Sequence, residues 1–299
     1  MTIFQAILIG VIQGLTEFLP VSSSGHLVIT TALYKFFTGS SLPHGNPEEI
    51  FFDIMVHVAT LIAIFIYFWP ELLGIFSPRT ILKHFDFYKI KSLKTVKTDL
   101  MNNYKELPFN AQMLLLLGYG TLATLVIAFP GRNFAVYLTQ NPFIVCFMLL
   151  ITATLLLVSH ILSEKNKAKT NNVNFKRAII IGLAQGFAIF PGISRSGSTI
   201  AAGLMTGLDR VTAARFSFIL STPIILLAAG YEGINFFIDG EMVGFNWSAI
   251  FLGSLAAGIV GYFCIKYFIK FLSKYSLLGF AYYCYAAGIL MAIFFYFNS

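Results

Sequence analysis

The chain has 299 residues, of which 57% are hydrophobic, 16% aromatic and only 11% charged, and its mean hydropathy is +0.79. So little polar surface cannot cover a soluble globule, which leaves a membrane protein. The net charge of +7 is unevenly placed along the chain and reads as a topology signal, so no nucleic-acid partner is needed to explain it.

The opening MTIFQAILIG lacks a basic n-region and a small-residue cleavage site, and is expected to stay in the mature fold. Residues 3–37 form two apolar arms interrupted by Pro20 and the serines after it. As one helix they would reach about 50 Å, too long for a hydrocarbon core of about 30 Å. Proline ends the first arm and a serine can cap the second. A re-entrant hairpin is the preferred reading, with irregular backbone lining a cavity. After a polar loop at 38–49, spans are expected at about 51–69, 110–129 and 142–161. A long connection at about 70–108 carries Arg79, Lys83, Lys89, Lys91, Lys94, Lys97 and Lys105, and a second basic loop occupies about 162–177. The positive-inside rule makes both cytoplasmic. The IFSPRTILKHF portion of the first could lie on the membrane surface as an amphipathic helix. A second hairpin is expected at 178–208, then spans at about 212–230, 247–272 and 278–297. Of the 20 Lys and Arg residues, 17 fall on the expected cytoplasmic side; Lys35 and Arg132 fall outside, and Arg195 in a hairpin tip. Cys146, Cys264 and Cys284 lie in apolar runs without paired spacing, so neither a disulfide framework nor a zinc site is expected.

The hairpins are copies of one another. Residues 6–26 and 178–198 match at ten of 21 positions without a gap, at a constant offset of 172. Three spans separate the copies and each hairpin crosses an even number of times, so the second must enter from the opposite face. The expected fold is therefore all-α and polytopic: a single membrane domain over 1–299 with an inverted-topology repeat, copies at about 1–161 and 178–299, two re-entrant helical hairpins and about six transmembrane helices. Such repeats bring broken helices together near the bilayer midplane.

The copies have diverged in their chemistry. The first, QGLTEFLPVSSSGH, carries Glu17, Ser23 and His26, where the second, QGFAIFPGISRSGS, has Ile189, Arg195 and Ser198. One half thus supplies acid, hydroxyl and imidazole and the other a cation, which points to one composite site suited to phosphate. Glu17 inside a membrane segment requires a partner or a metal, and a structural ion pair with Arg195 would meet that need as well as a functional role would. Ser23 and His26 are candidates for nucleophile and base, in either order, although serines here can also be simple N-caps. Gln13, Ser22, Ser24, Gly25, Ser194, Ser196, Gly197, Ser198 and Thr199 are candidates for holding the phosphates. Gln13, one helical turn before Glu17, could share a cation with it. Asp53 and His57 form a second polar face that either supports the pocket or satisfies itself. His44, His84 and His160 lie in loops or at span ends and suggest no specific role.

The paired motifs QGLTEFLPVSSSGH and PGISRSGST, with the FFDIMVHVATL span, closely resemble the undecaprenyl-diphosphate phosphatase family, also called the bacitracin-resistance family, over essentially the whole chain. The resemblance implies hydrolysis of a lipid-carrier diphosphate to its monophosphate and inorganic phosphate, at a site facing the outer side of the bacterial plasma membrane, in a protein that is often a homodimer. It carries the family's glutamate-rich element onto Gln13 and Glu17, its serine and histidine onto Ser23 and His26, and its arginine motif onto Ser194, Arg195 and Ser196. A divalent cation, Mg²⁺ or Ca²⁺, is implied at Glu17 and Gln13. With Gln rather than Glu at position 13, it would be held weakly and partly by the substrate. The competing class is a transporter, since broken helices in an inverted repeat also suit movement of a lipid phosphate across the bilayer. A purely structural scaffold leaves the matched positions of acid and cation unexplained.

Overall fold

The computed structural model describes residues 1–39, 47–77, 107–165, 169–239 and 244–298. The seven basic residues of the long connection and the amphipathic stretch beyond Ser77 lie outside these residues, as do His44 and His84. Eleven helices are described: α1 (Ile3–Thr16), α2 (Ser23–Thr38), α3 (Pro47–Tyr67), α4 (Trp69–Ile75), α5 (Phe109–Thr139), α6 (Pro142–Lys165), α7 (Phe175–Phe187), α8 (Arg195–Met205), α9 (Arg210–Asp239), α10 (Trp247–Leu272) and α11 (Leu278–Phe297). Six of them, α3, α5, α6, α9, α10 and α11, are long and apolar enough to cross a membrane. The protein is an all-α polytopic membrane protein.

The boundaries follow local chemistry. Thr2 accepts from the Gln5 amide while the Gln5 side chain accepts from the Thr2 amide, a capping box that opens α1. Asn174, Ser194 and Asn246 open α7, α8 and α10 with the one-way version, each side chain accepting from the amide three residues on. Three expected boundaries are corrected. The span expected to stop at Phe129 continues through Pro130 to Thr139, and that expected to stop at residue 230 continues to Asp239. Proline deletes one intrahelical bond but does not end a helix whose surroundings tolerate the freed carbonyl. The connection after Trp69 begins not as loop but as α4, with Pro70 in the first turn where its missing N–H costs nothing.

Polar contacts mark two ends of the bundle. At one, the Met1 ammonium lies 3.2 Å from Glu48, and Glu48 accepts from the Asn246 amide at 2.8 Å. At the other, Arg210 pairs with Glu164 at 2.7 Å, Arg177 donates to the Asn172 and Thr206 carbonyls, and Arg215 pairs with Glu71. The 21 residues of α3, about 31 Å of helix at 1.5 Å per residue, separate the ends. The segment opening at Thr2 therefore starts at one end and the segment opening at Asn174 at the other.

Each of these short helices packs on a long helix of the other half, α1 on α10 and α7 on α5. Glycine makes both approaches possible. A Cβ at Gly10 would overlap the Gly253 carbonyl, and one at Gly182, its equivalent at offset 172, would overlap the Gly120 carbonyl. One turn on, Gly14 and Gly186 would bring a Cβ to 2.7 Å from the Ala257 oxygen and 2.8 Å from the Thr124 oxygen. Between the two helix pairs lies an aromatic core in which Phe18 meets Phe218 edge to face at 5.4 Å.

Gly10→Val and Gly182→Val should each lower stability in detergent by at least about 1–3 kcal/mol, the usual cost of overpacking. Gly118→Ala should cause no loss, because a Cβ there meets nothing within 4 Å and alanine is favoured over glycine inside a helix. Thermal unfolding of the purified variants checks both.

Candidate active site

The tips between α1 and α2 and between α7 and α8 lie against each other. The Ser196 hydroxyl donates to the Leu19 carbonyl at 2.9 Å, and a Cβ at Gly25 would stand 3.1 Å from the Gly192 Cα. Thr152 of α6 braces the second tip: its hydroxyl donates to the Gly192 carbonyl and accepts from the Ser194 amide, each at 2.9 Å.

The two turns use one capping device. Ser22 and Ser194, equivalent at offset 172, accept from the amides of Gly25 and Gly197 at 3.2 and 3.0 Å. Their hydroxyls lie 3.3 and 3.2 Å from those of Ser24 and Ser196. The backbone reaches this state differently, since Ser22 has φ 69° whereas Ser194 caps from an extended conformation. A serine in the left-handed region costs about 1–2 kcal/mol, and strain of this kind concentrates at functional sites. Each cap leaves the first amides of its helix, Ser23 and Ser24 in one and Arg195 and Ser196 in the other, without an intrahelical partner.

Glu17 caps α1 at its C-terminal end and is buried at the junction. Its Oε1 accepts from Arg195 Nη2 across the tips. Its Oε2 accepts from the Ser23 hydroxyl at 2.7 Å and the Gln13 amide at 3.0 Å, and lies 3.9 Å from His57 Nε2. Two buried polar atoms here have no partner among the described residues, Arg195 Nη1 and Gln13 Oε1. A donor and an acceptor are thus left over beside a neutralised pair.

The structure sorts the sequence candidates. Gln13, Glu17, Ser23 and Arg195 meet directly, with Ser22, Ser24, Gly25, Ser194, Ser196 and Gly197 forming the turns around them. Thr199 turns away, its hydroxyl meeting the Ser217 hydroxyl at 2.5 Å, and Ser198 is buried in the second turn's helix. His26 does not serve Ser23: its Nδ1 is 2.8 Å from the Ser22 carbonyl and its Nε2 2.7 Å from the Tyr283 hydroxyl. The base within reach of Ser23 is Glu17. His57 does more than satisfy Asp53, for it spans from the Asp53 carbonyl, at 2.8 Å from Nδ1, to Glu17. Sequence reasoning missed Thr152 and Tyr283. Both sit in apolar or aromatic runs whose pattern sets them apart in no way.

Among the described residues no group of three or more His, Cys, Asp or Glu side chains could hold a metal ion. Glu17 and the orphan Gln13 Oε1 offer oxygens from two side chains, which fits a cation shared with an anionic ligand and does not fit a closed cage.

Fold and site define an all-helical polytopic membrane protein with one buried cluster of acid, guanidinium and hydroxyls, built jointly by two related turns. The sequence model of the bacitracin resistance protein BacA family matches residues 6–290. The chain is 38% identical over 293 residues to an undecaprenyl-diphosphatase of Halothermothrix orenii, covering 98% of each. It is 38% identical over 296 residues to one of Treponema denticola, covering 99% of this chain and 98% of that one. A third, from Methanobrevibacter smithii, is 36% identical over 295 residues and 97% of each chain. The chain belongs to the bacitracin resistance protein BacA family.

Removing one member of a buried ion pair strands the other, at about 3–5 kcal/mol. Arg195→Met should therefore unfold at clearly lower temperature than the double variant Glu17→Met with Arg195→Met, in which neither charge is left alone. Thermal unfolding of the two side by side checks the order.

Proposed function

We propose that this protein hydrolyses undecaprenyl diphosphate to undecaprenyl phosphate and inorganic phosphate. Family membership and the undecaprenyl-diphosphatase relatives support this activity. The observation that ties it to this chain's own residues is the Glu17–Arg195 pair with a guanidinium nitrogen left over. A fully satisfied structural pair would have no spare donor, whereas Arg195 Nη1 can take a phosphate oxygen. The first-turn amides of α2 and α8 add N–H donors and positive helix ends aimed at the same place.

The residues then divide the work. Ser23 is the nucleophile: its hydroxyl already donates to Glu17 Oε2, so the carboxylate receives that proton as the oxygen attacks the terminal phosphorus. The bond to the bridging oxygen breaks, the lipid monophosphate leaves, and water later releases phosphate from Ser23. Arg195 and the helix-end amides stabilise charge on the equatorial oxygens, which supplies most of the rate in phosphoryl transfer. A divalent cation held by Glu17, Gln13 Oε1 and the diphosphate would add further charge neutralisation. The prenyl chain stays in lipid while the head group enters the turns. In this reading residues 3–37 and 178–208 are re-entrant hairpins of an inverted repeat, the site opens to the outer side of the plasma membrane, and the protein works as a homodimer. Exit of the Met1 and Asn246 end on the side opposite Arg177, Arg210 and Arg215 supports that orientation. Transport of a lipid phosphate without hydrolysis would need no nucleophile, and the Ser23–Glu17 contact favours the enzyme.

Purified protein should release phosphate from a long prenyl diphosphate. Glu17→Gln, Ser23→Ala and Arg195→Ala should each lose at least about 100-fold in kcat, the usual cost of deleting a group that stabilises developing charge. Brief reaction with terminally labelled substrate followed by acid quench should leave label on the wild type and none on Ser23→Ala. Lipid movement between leaflets without phosphate release would select the transporter instead. Chelation should slow release and added Mg²⁺ or Ca²⁺ restore it; a rate indifferent to chelator would exclude the cation.

A further inference from the structure

His26 is held at both ring nitrogens. Its Nδ1 lies 2.8 Å from the Ser22 carbonyl oxygen, which only accepts, so Nδ1 carries a proton. In the neutral ring Nε2 then holds the one ring lone pair free to accept a proton or a hydrogen bond, and it accepts from the Tyr283 hydroxyl at 2.7 Å. Tyr283 comes from α11, 257 residues away in the chain. The two rings are stacked, with centroids 5.6 Å apart and planes within 7°. Tyr283 is itself 48% exposed, so its phenol is not buried by packing and its hydroxyl has this imidazole as its partner. The neighbouring Cys284 touches the first tip through the Pro20 carbonyl at 3.7 Å, which fixes α11 against the turn that carries His26.

We propose that Tyr283 is a positioning residue of the hydrolytic site, acting through His26: its hydroxyl and ring fix the orientation of the imidazole so that Nε2 is set to take a proton from the water that releases phosphate. This rests on the phosphatase reading above. Serine activation does not require it, since Glu17 already serves Ser23. The imidazole is left to act through the Nε2 lone pair, taking the proton that water loses when phosphate is released, once that water replaces the Tyr283 hydroxyl as the donor to Nε2. That role needs one ring orientation, and a ring tied only through Nδ1 to Ser22 could swing about that bond.

Tyr283→Phe separates this from a simple tie between α2 and α11, because it keeps the stacked ring and removes only the hydroxyl. The expected result is a fall in kcat of about five- to tenfold, the size of one lost hydrogen bond, with KM within about twofold. The freed Nε2 should also be carbethoxylated faster by diethyl pyrocarbonate at His26, by about the same factor, read by mass spectrometry of the His26 peptide. Both shifts are required. An unchanged kcat, or an unchanged labelling rate at His26, overturns the proposal, as does a change confined to thermal stability. Wild-type protein that labels normally yet releases no phosphate would instead overturn the phosphatase reading; the labelling comparison would still decide whether Tyr283 holds His26.

Discussion

A carboxylate and a guanidinium buried side by side in an apolar molecule depend on each other. Either alone would carry a large desolvation cost, and paired they are tolerable only with good geometry and further hydrogen bonds. Glu17 comes from one turn and Arg195 from the other, so neither half of the chain can bury its own charge without its counterpart. The same carboxylate collects the Ser23 hydroxyl and the Gln13 amide on its second oxygen. The pair is thus at once the constraint that brings the turns together and the centre on which the Ser23 and Gln13 side chains are arranged.

The rest of the fold holds that junction rigid. Because α1 packs on α10 and α7 on α5, each short arm is gripped by a long helix of the other half, and the glycine contacts leave little room for either arm to slide. Thr152 and the Ser196 hydroxyl then lock the turns themselves. The proposed stabilisation of charge on a phosphoryl group would gain from this, since donors already in place need no reorganisation when the charge develops.

The two turns also illustrate how a duplicated element keeps its architecture while its chemistry diverges. Both use a serine hydroxyl to cap the following helix. In the first the positive φ falls on Ser22; in the second it falls on Gly192, two residues earlier in the equivalent frame. Proline stands where that glycine would be, at Pro20, and its ring cannot adopt a positive φ. The left-handed residue therefore moves to the serine, which places Ser23 and His26 on a turn of slightly different course from that of Arg195 and Ser198.

Much of this was legible in the sequence, because it depends on local or repetitive signals. Composition fixed the membrane class, apolar runs located all six long helices, and the match of residues 6–26 to 178–198 paired Glu17's turn with Arg195's. Errors gathered at helix ends, as at Pro130, where a missing N–H is decisive in an isolated helix and minor in a packed one. Contacts between side chains distant in the chain were beyond it. Proximity in sequence suggested His26 as the base for Ser23, yet on the helix that starts at Ser23 the two side chains diverge, and the imidazole meets a tyrosine from the last helix. His57 likewise reaches Glu17 only because α3 lies beside α1. Periodicity and composition determine which segments enter the membrane and which residue types reach the turns. Which atoms then touch is decided by how helices pack in three dimensions, and packing that close depends on side-chain shapes summed over the whole bundle rather than on any one stretch of chain.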